Sequence, residues 1–143
     1  MNKRTIGSLE QQYRATIDSL GDAIFVIDNN FKIILTNTAL ELWLSDLGLQ
    51  TELFGLELHE AIPFFSERVY YEYRQVFRTG ATHVAVESIE INNKRYFLET
   101  RKIPSVLYEG IITQIVTVIR DITERKEAEE ALRESEEKYR TIL

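Results

Sequence analysis

Apolar positions along this chain switch between two periods. From Ile6 to Leu20 they recur every three or four residues (Ile6, Leu9, Tyr13, Ile17, Leu20), the spacing of an amphipathic helix, and Gly21 stops it. AIFVID (23–28) and FKIILTN (31–37) are β-rich runs flanking Asp28-Asn29-Asn30, a turn-forming cluster, and together predict a hairpin. Asn37 then stands as the cap of a short helix, TALELWLSDLG, that closes at Gly48. Residues 49–64 read as irregular helical turns broken by Gly55 and Pro63. SERVYYEYRQVFRTG restores the helical period, with Val69, Tyr73, Val76 and Phe77 on one face and Gly80 as its stop.

Three longer strands follow. THVAVESIEI and KRYFLETRKI are joined by Asn92-Asn93, a pair suited to positive φ in a tight hairpin; Pro104 is expected to end the second strand. The third is IITQIVTVIRDI, entered through Gly110. Two strands, small helices and three more strands predict an α+β domain, a five-stranded antiparallel sheet with helices on one face. From Asp121 onward the chain changes again, with charges dominating and no Gly or Pro. Ala128, Leu132, Ser135, Tyr139 and Ile142 recur at alternating steps of four and three, a thin heptad stripe that predicts a helix paired with a partner helix. The expected division is a helix over 1–20, a domain over 21–122 and a linker helix over 123–143.

Composition narrows the function. With 44% hydrophobic residues in 143, the chain can bury one ordinary core. A net charge of −6 without a basic stripe argues against nucleic acid as a partner. No apolar run is long enough to span a bilayer, so no membrane contact is expected of this segment. Cysteine is absent, which excludes disulfides, thiolate chemistry and every cysteine-linked chromophore. His59-Glu60, in LHEAIPFF, lies among broken turns and has no second histidine at 63, so it is neither a zinc helix nor a phospho-accepting box. No nucleophile–base pair or phosphate-cradling glycine loop stands out, and the chain is not expected to be an enzyme.

RDITERKEAEEAL (120–132) resembles the end of a PAS sensor domain running into its signalling helix. Asp28 and Asn37 resemble the family's first hairpin and Asn37-Thr38-Ala39 its helix start. Gly48, Gly55, Pro63, Thr79-Gly80, Pro104 and Gly110 follow in matching order. Phe31 departs from the family, where many members have Gly, and Asn93 replaces a Gly in the later hairpin. SEEKYRTIL echoes LEQQYRATIDSL near the start, and is expected to open a second PAS-like unit in which this sequence stops.

The resemblance implies a ligand pocket between the inner sheet face and the long helix. Strand alternation offers Tyr96, Leu98 and Thr100, with Thr113, Ile115, Thr117 and Ile119; the opposite parity would bring in Gln114, Val116 and Val118. The helices offer Trp43, Leu58, Ile62, Tyr70, Tyr73, Arg74 and Phe77, which either line a pocket or simply fill the core. No histidine lies on the long helix, where haem-binding members commonly hold iron. Neither haem nor non-covalent flavin is expected, and any small-molecule ligand is unidentified. Asp121, Ile122 and Thr123 are the expected signal-transfer site: Asp121 to accept from the first helical amides, Ile122 to anchor the junction in the core.

The resemblance thus implies a cytoplasmic sensory or relay domain, homodimeric through its flanking helices and adjacent to a further PAS or output domain. The expected parent is a sensor histidine kinase. The alternatives are a diguanylate cyclase or a ligand-free dimerisation spacer.

Overall fold

The computed structural model describes residues 21–142, so the amphipathic stretch expected over 1–20 lies outside the described residues. Five strands, β1 (Ala23–Asp28), β2 (Ile33–Thr36), β3 (His83–Ile91), β4 (Lys94–Tyr108) and β5 (Ile111–Asp121), form one sheet in the order β2-β1-β5-β4-β3. Every neighbouring pair is antiparallel. Three helices, α1 (Thr38–Asp46), α2 (Leu58–Ala61) and α3 (Glu67–Thr79), connect β2 to β3, and α4 (Thr123–Ile142) leads away from β5. The predicted α+β architecture is the one observed.

Local chemistry sets the turns. Asp28 Oδ1 accepts from the amides of Asn30 (2.9 Å) and Lys32 (3.0 Å), and Phe31 donates its own amide to Asp28 O, closing a turn that leaves Phe31 at φ 61°. That left-handed position normally takes glycine, and a side chain there costs roughly 1–2 kcal/mol. Asn92 and Asn93, at φ 53° and 63°, make the β3–β4 turn, where both central residues need positive φ. Gly80 ends α3 at φ 73°, its amide bonded back to Val76 O.

Pro104 does not end β4. The strand runs on to Tyr108, with Pro104 opposite Ile115. The β3 ladder has already stopped at the His83–Lys102 pair, so β4 is an open edge on that side, where a residue lacking N–H is tolerated.

The core lies between the sheet and the helices. Phe25, Ile27, Leu98, Ile115 and Ile119 from the sheet meet Leu40, Leu44, Leu58, Ile62, Val69, Tyr73 and Val76 from the helical side. On α3, buried positions 69, 72, 73 and 76 form one face, and Glu72 is the charged member of it.

Candidate functional site

At the end of β5 the chain is knotted to β4 before α4 departs. Asp121 Oδ1 accepts from the Thr123 amide (2.9 Å) and from the Thr123 hydroxyl. Thr123 Oγ1 in turn accepts from the Phe97 amide (3.0 Å), while the Ile122 amide donates to Phe97 O (2.9 Å). Ile122 and Thr123 are buried; Asp121 is exposed. The ladder of β4 therefore continues onto the first residues of the helix, with no slack peptide between sheet and rod. Past Lys126, every described side chain of α4 is exposed, Leu132 and Tyr139 by 61% and 67%.

The residues considered as pocket lining divide sharply. Leu58, Tyr73, Leu98, Ile115 and Thr117 are completely buried, and Thr100 nearly so, leaving no water-sized void against them. Ile62 and Ile119 are buried, whereas Tyr70, Phe77, Tyr96, Thr113 and Trp43 are half-buried. Arg74 is corrected: its side chain is exposed, one step round α3 from the face that holds 69, 72, 73 and 76. Trp43 stacks edge-on to Phe64 (5.7 Å between ring centroids) and lines a cleft of about 230 Å³ at the opposite corner, with Asp22, Arg120 and Asp121.

A charged cluster lies where α3 covers the β3–β4 end of the sheet, and nothing in the sequence reading singled it out. Lys102 Nζ, 1% exposed, donates to Glu72 Oε2 (3.0 Å) and to Thr100 Oγ1 (3.3 Å), and sits 5.2 Å from the Tyr73 ring centre. Glu72 also meets Arg68 (3.4 Å) and His83 Nδ1 (3.7 Å). Beside it, burial raises the Glu87 carboxyl above its ordinary range; Lys102 pulls against this, and Glu72 adds to it by charge and by hydrogen bond. Tyr73 and Thr117 share a hydrogen bond, and burial pushes the Tyr73 phenol upward. The sequence signal for this cluster was parity: Lys102 follows Leu98 and Thr100 on the inward alternation.

Asn37 ties the other corner together. Its Oδ1 accepts from Leu40 N (3.0 Å), capping α1, and from Ile24 N (2.9 Å), while Nδ2 donates to Asp22 O (2.8 Å). Asp22 is also held by Arg120. The points where the chain enters β1 and leaves β5 are thus joined. Among the described residues no group of three or more His, Asp or Glu is placed to hold a metal, and no helix is long and apolar enough to cross a membrane.

A family model described as PAS fold matches residues 17–127. The chain belongs to the PAS family. No curated protein matches it in sequence. Among solved structures, the PAS domain of Bordetella pertussis BvgS superposes with a TM-score of 0.64 at 20% identity, covering 92% of this chain and 98% of that one. A PAS domain from Colwellia psychrerythraea gives 0.62 at 18% identity, covering 81% and 98%. A sensory box sensor histidine kinase from Vibrio cholerae gives 0.55 at 13% identity, covering 85% and 95%. These likenesses show the fold.

Proposed function

We propose that this PAS domain is a relay in a cytoplasmic sensor histidine kinase, passing rearrangements of its sheet to α4 and carrying out no catalysis itself. The observation that carries this reading is the knot of Asp121, Thr123 and Phe97, which makes the helix a continuation of the sheet ladder. A kinase parent is supported by the likeness to the Vibrio cholerae sensor histidine kinase. A homodimer is supported by the exposed Leu132 and Tyr139, one heptad apart, which a second copy of α4 would cover. Signal transfer then means that two sheet arrangements favour two rotations of the paired helices.

Burial of Leu58, Tyr73, Leu98, Ile115 and Thr117 favours a variant of this reading, in which the domain holds neither haem nor flavin and its interior is occupied by its own side chains. A small-molecule ligand, where one acts, has to displace part of this packing.

Spin labels at Val116 on the sheet and Glu130 on α4 test the relay directly. A narrow distance distribution is expected in the parent chain, and a clearly broader one in Thr123→Val, which loses both junction bonds of the hydroxyl. Equal widths in the two proteins would remove the knot from the mechanism. Sedimentation of the chain with and without residues 123–143 tests pairing: dimers surviving the truncation would move the interface elsewhere.

A further inference from the structure

β2 (Ile33–Thr36) is an outermost strand of the sheet, with β1 as its only strand neighbour. Its residues, IILT, carry neither charge nor proline, the side chains that usually guard an open edge. The loop before α2 closes off the start of the strand. Ile33 N donates to Leu56 O (2.9 Å), Gly55 N donates to Ile33 O (2.8 Å), and Lys32 forms a backbone bridge with Glu57. That pairing goes no further. Among the described residues, no backbone bond outside the ladder with β1 reaches Ile34, Leu35 or Thr36. A cleft of about 680 Å³ lies between residues 33–36 and the loop of residues 51–56.

The cleft carries charge of one sign. Glu41 of α1 and Glu52 of the loop line it, both exposed, and no Lys or Arg does. Thr36 Oγ1 donates to Glu41 Oε1 (3.1 Å), which keeps that carboxylate beside the end of β2. Much of the remaining wall is apolar. Ile34, Leu35 and Leu56 are half-buried, and Leu53 anchors the loop in the core. Phe54, the next residue, is 80% exposed. An exposed ring among carboxylates suits arginine, whose planar guanidinium both stacks on aromatic faces and pairs with carboxylate oxygens.

We propose that the open edge of β2 is a docking groove for an extended, arginine-bearing segment of a partner protein, which adds to the sheet as a further strand. The backbone of that segment pairs with residues 34–36. Its arginines reach Glu41 and Glu52, and its apolar side chains lie on Leu56 and Phe54. Main-chain bonds supply affinity in such strand addition, and side-chain pockets supply the choice of partner. The carboxylates decide the kind of partner: they repel phosphate, so neither a nucleic acid nor an anionic membrane fits, and they reject an acidic segment. The groove stands apart from the α4 junction, with β1 and β5 between β2 and β4, and it does not depend on the relay reading.

The test is an NMR titration of the isotope-labelled 143-residue chain with a short, capped peptide of alternating arginine and valine. The same peptide with glutamate in place of arginine serves as the control. The arginine peptide is expected to shift the amides of residues 34–36 and 51–56 and to slow hydrogen exchange at 34–36, and the glutamate peptide to do neither. Glu41→Gln with Glu52→Gln, both at exposed positions, is expected to weaken the arginine peptide about tenfold. A double variant that binds as tightly as wild type overturns the charge recognition and with it the choice of partner. Shifts confined to the glutamates of α4 overturn the groove, as does the absence of any shift up to about 1 mM peptide. Arginine amide alone is expected to leave exchange at 34–36 unchanged; protection equal to that given by the peptide overturns strand addition and leaves a site for a small cation. Slow exchange at 34–36 before any peptide is added means that this chain or a second copy already covers the edge, and overturns the partner.

Discussion

Asp22 and Arg120 stand 98 positions apart and meet through two bonds, Nε to Oδ1 at 3.2 Å and Nη2 to Oδ2 at 2.9 Å. One immediately precedes β1 and the other immediately precedes Asp121 of the knot, so the two ends of the domain share a fastening. The guanidinium is exposed, and solvent screens such pairs heavily. Arg120→Gln is therefore expected to leave the urea midpoint unchanged while loosening the corner locally. Hydrogen exchange checks this: the amides around the Ala23–Ile119 pair should exchange several-fold faster, with mid-sheet amides unaffected.

Lys102 and Glu72 should behave oppositely as single and paired substitutions. Lys102→Met strands a buried carboxylate, and breaking a buried pair this way typically costs about 3–5 kcal/mol. Arg68 and His83 remain near Glu72 and hold the loss toward the lower figure. Glu72→Gln with Lys102→Met removes both charges and is expected to recover most of the stability. Denaturation of the four proteins in a double-mutant cycle reads the coupling, and a double variant as unstable as Lys102→Met would mean that the pair is not an isolated unit.

What the sequence made legible was whatever local chemistry decides. Asn92-Asn93, Asn37 and Gly80 each perform a backbone task their neighbours cannot override, so the turn, cap and helix stop were readable one by one. Pro104 was misread because its tolerance depends on where β3 ends, a property of the neighbouring strand. Arg74 was placed toward the pocket and proves exposed, while Glu72 was passed over and proves buried. Charged residues on a helix look solvated until a buried partner of opposite sign is known, and Lys102 lies 30 positions away. The Asp121–Thr123 junction was visible as residues; that it fastens to Phe97 required the fold.

Tyr70 and Tyr73 make a contrasting pair. The Tyr70 hydroxyl is buried and has no hydrogen-bond partner among the described residues, and burial, then the charge of Glu57, pushes its phenol up to about 12. Tyr70→Phe removes an unsatisfied group, so it is expected to be neutral or to stabilise by up to about 1 kcal/mol. Tyr73→Phe orphans the Thr117 hydroxyl in the core and should cost about 1–2 kcal/mol. A raised folded value also fixes the pH sign. The Tyr70 contribution is intact below pH 10.0 and is lost as pH rises through about 12, so the stability gap between wild type and Tyr70→Phe should change only in that window. Urea titrations from about pH 8 to about pH 12 measure both effects.

Phe31 holds a left-handed backbone while its ring packs on three others from α3: Tyr70 at 5.7 Å, Phe77 at 5.9 Å and Tyr73 at 6.1 Å between centroids. Such contacts contribute roughly 0.5–1.5 kcal/mol each beyond area burial, enough to offset the conformational cost. The two terms separate by substitution. Phe31→Ala loses the ring and keeps the unfavourable φ, and should cost about 3 kcal/mol. Phe31→Gly loses the same ring and relieves the backbone, so it should be the more stable of the two by about 1 kcal/mol, against the usual advantage of alanine over glycine. Chemical denaturation of the two variants gives the order. Alanine above glycine would mean that the turn changes its conformation once the ring is gone, and that the aromatic contacts, rather than the Asp28 bonds, hold Phe31 in the left-handed region.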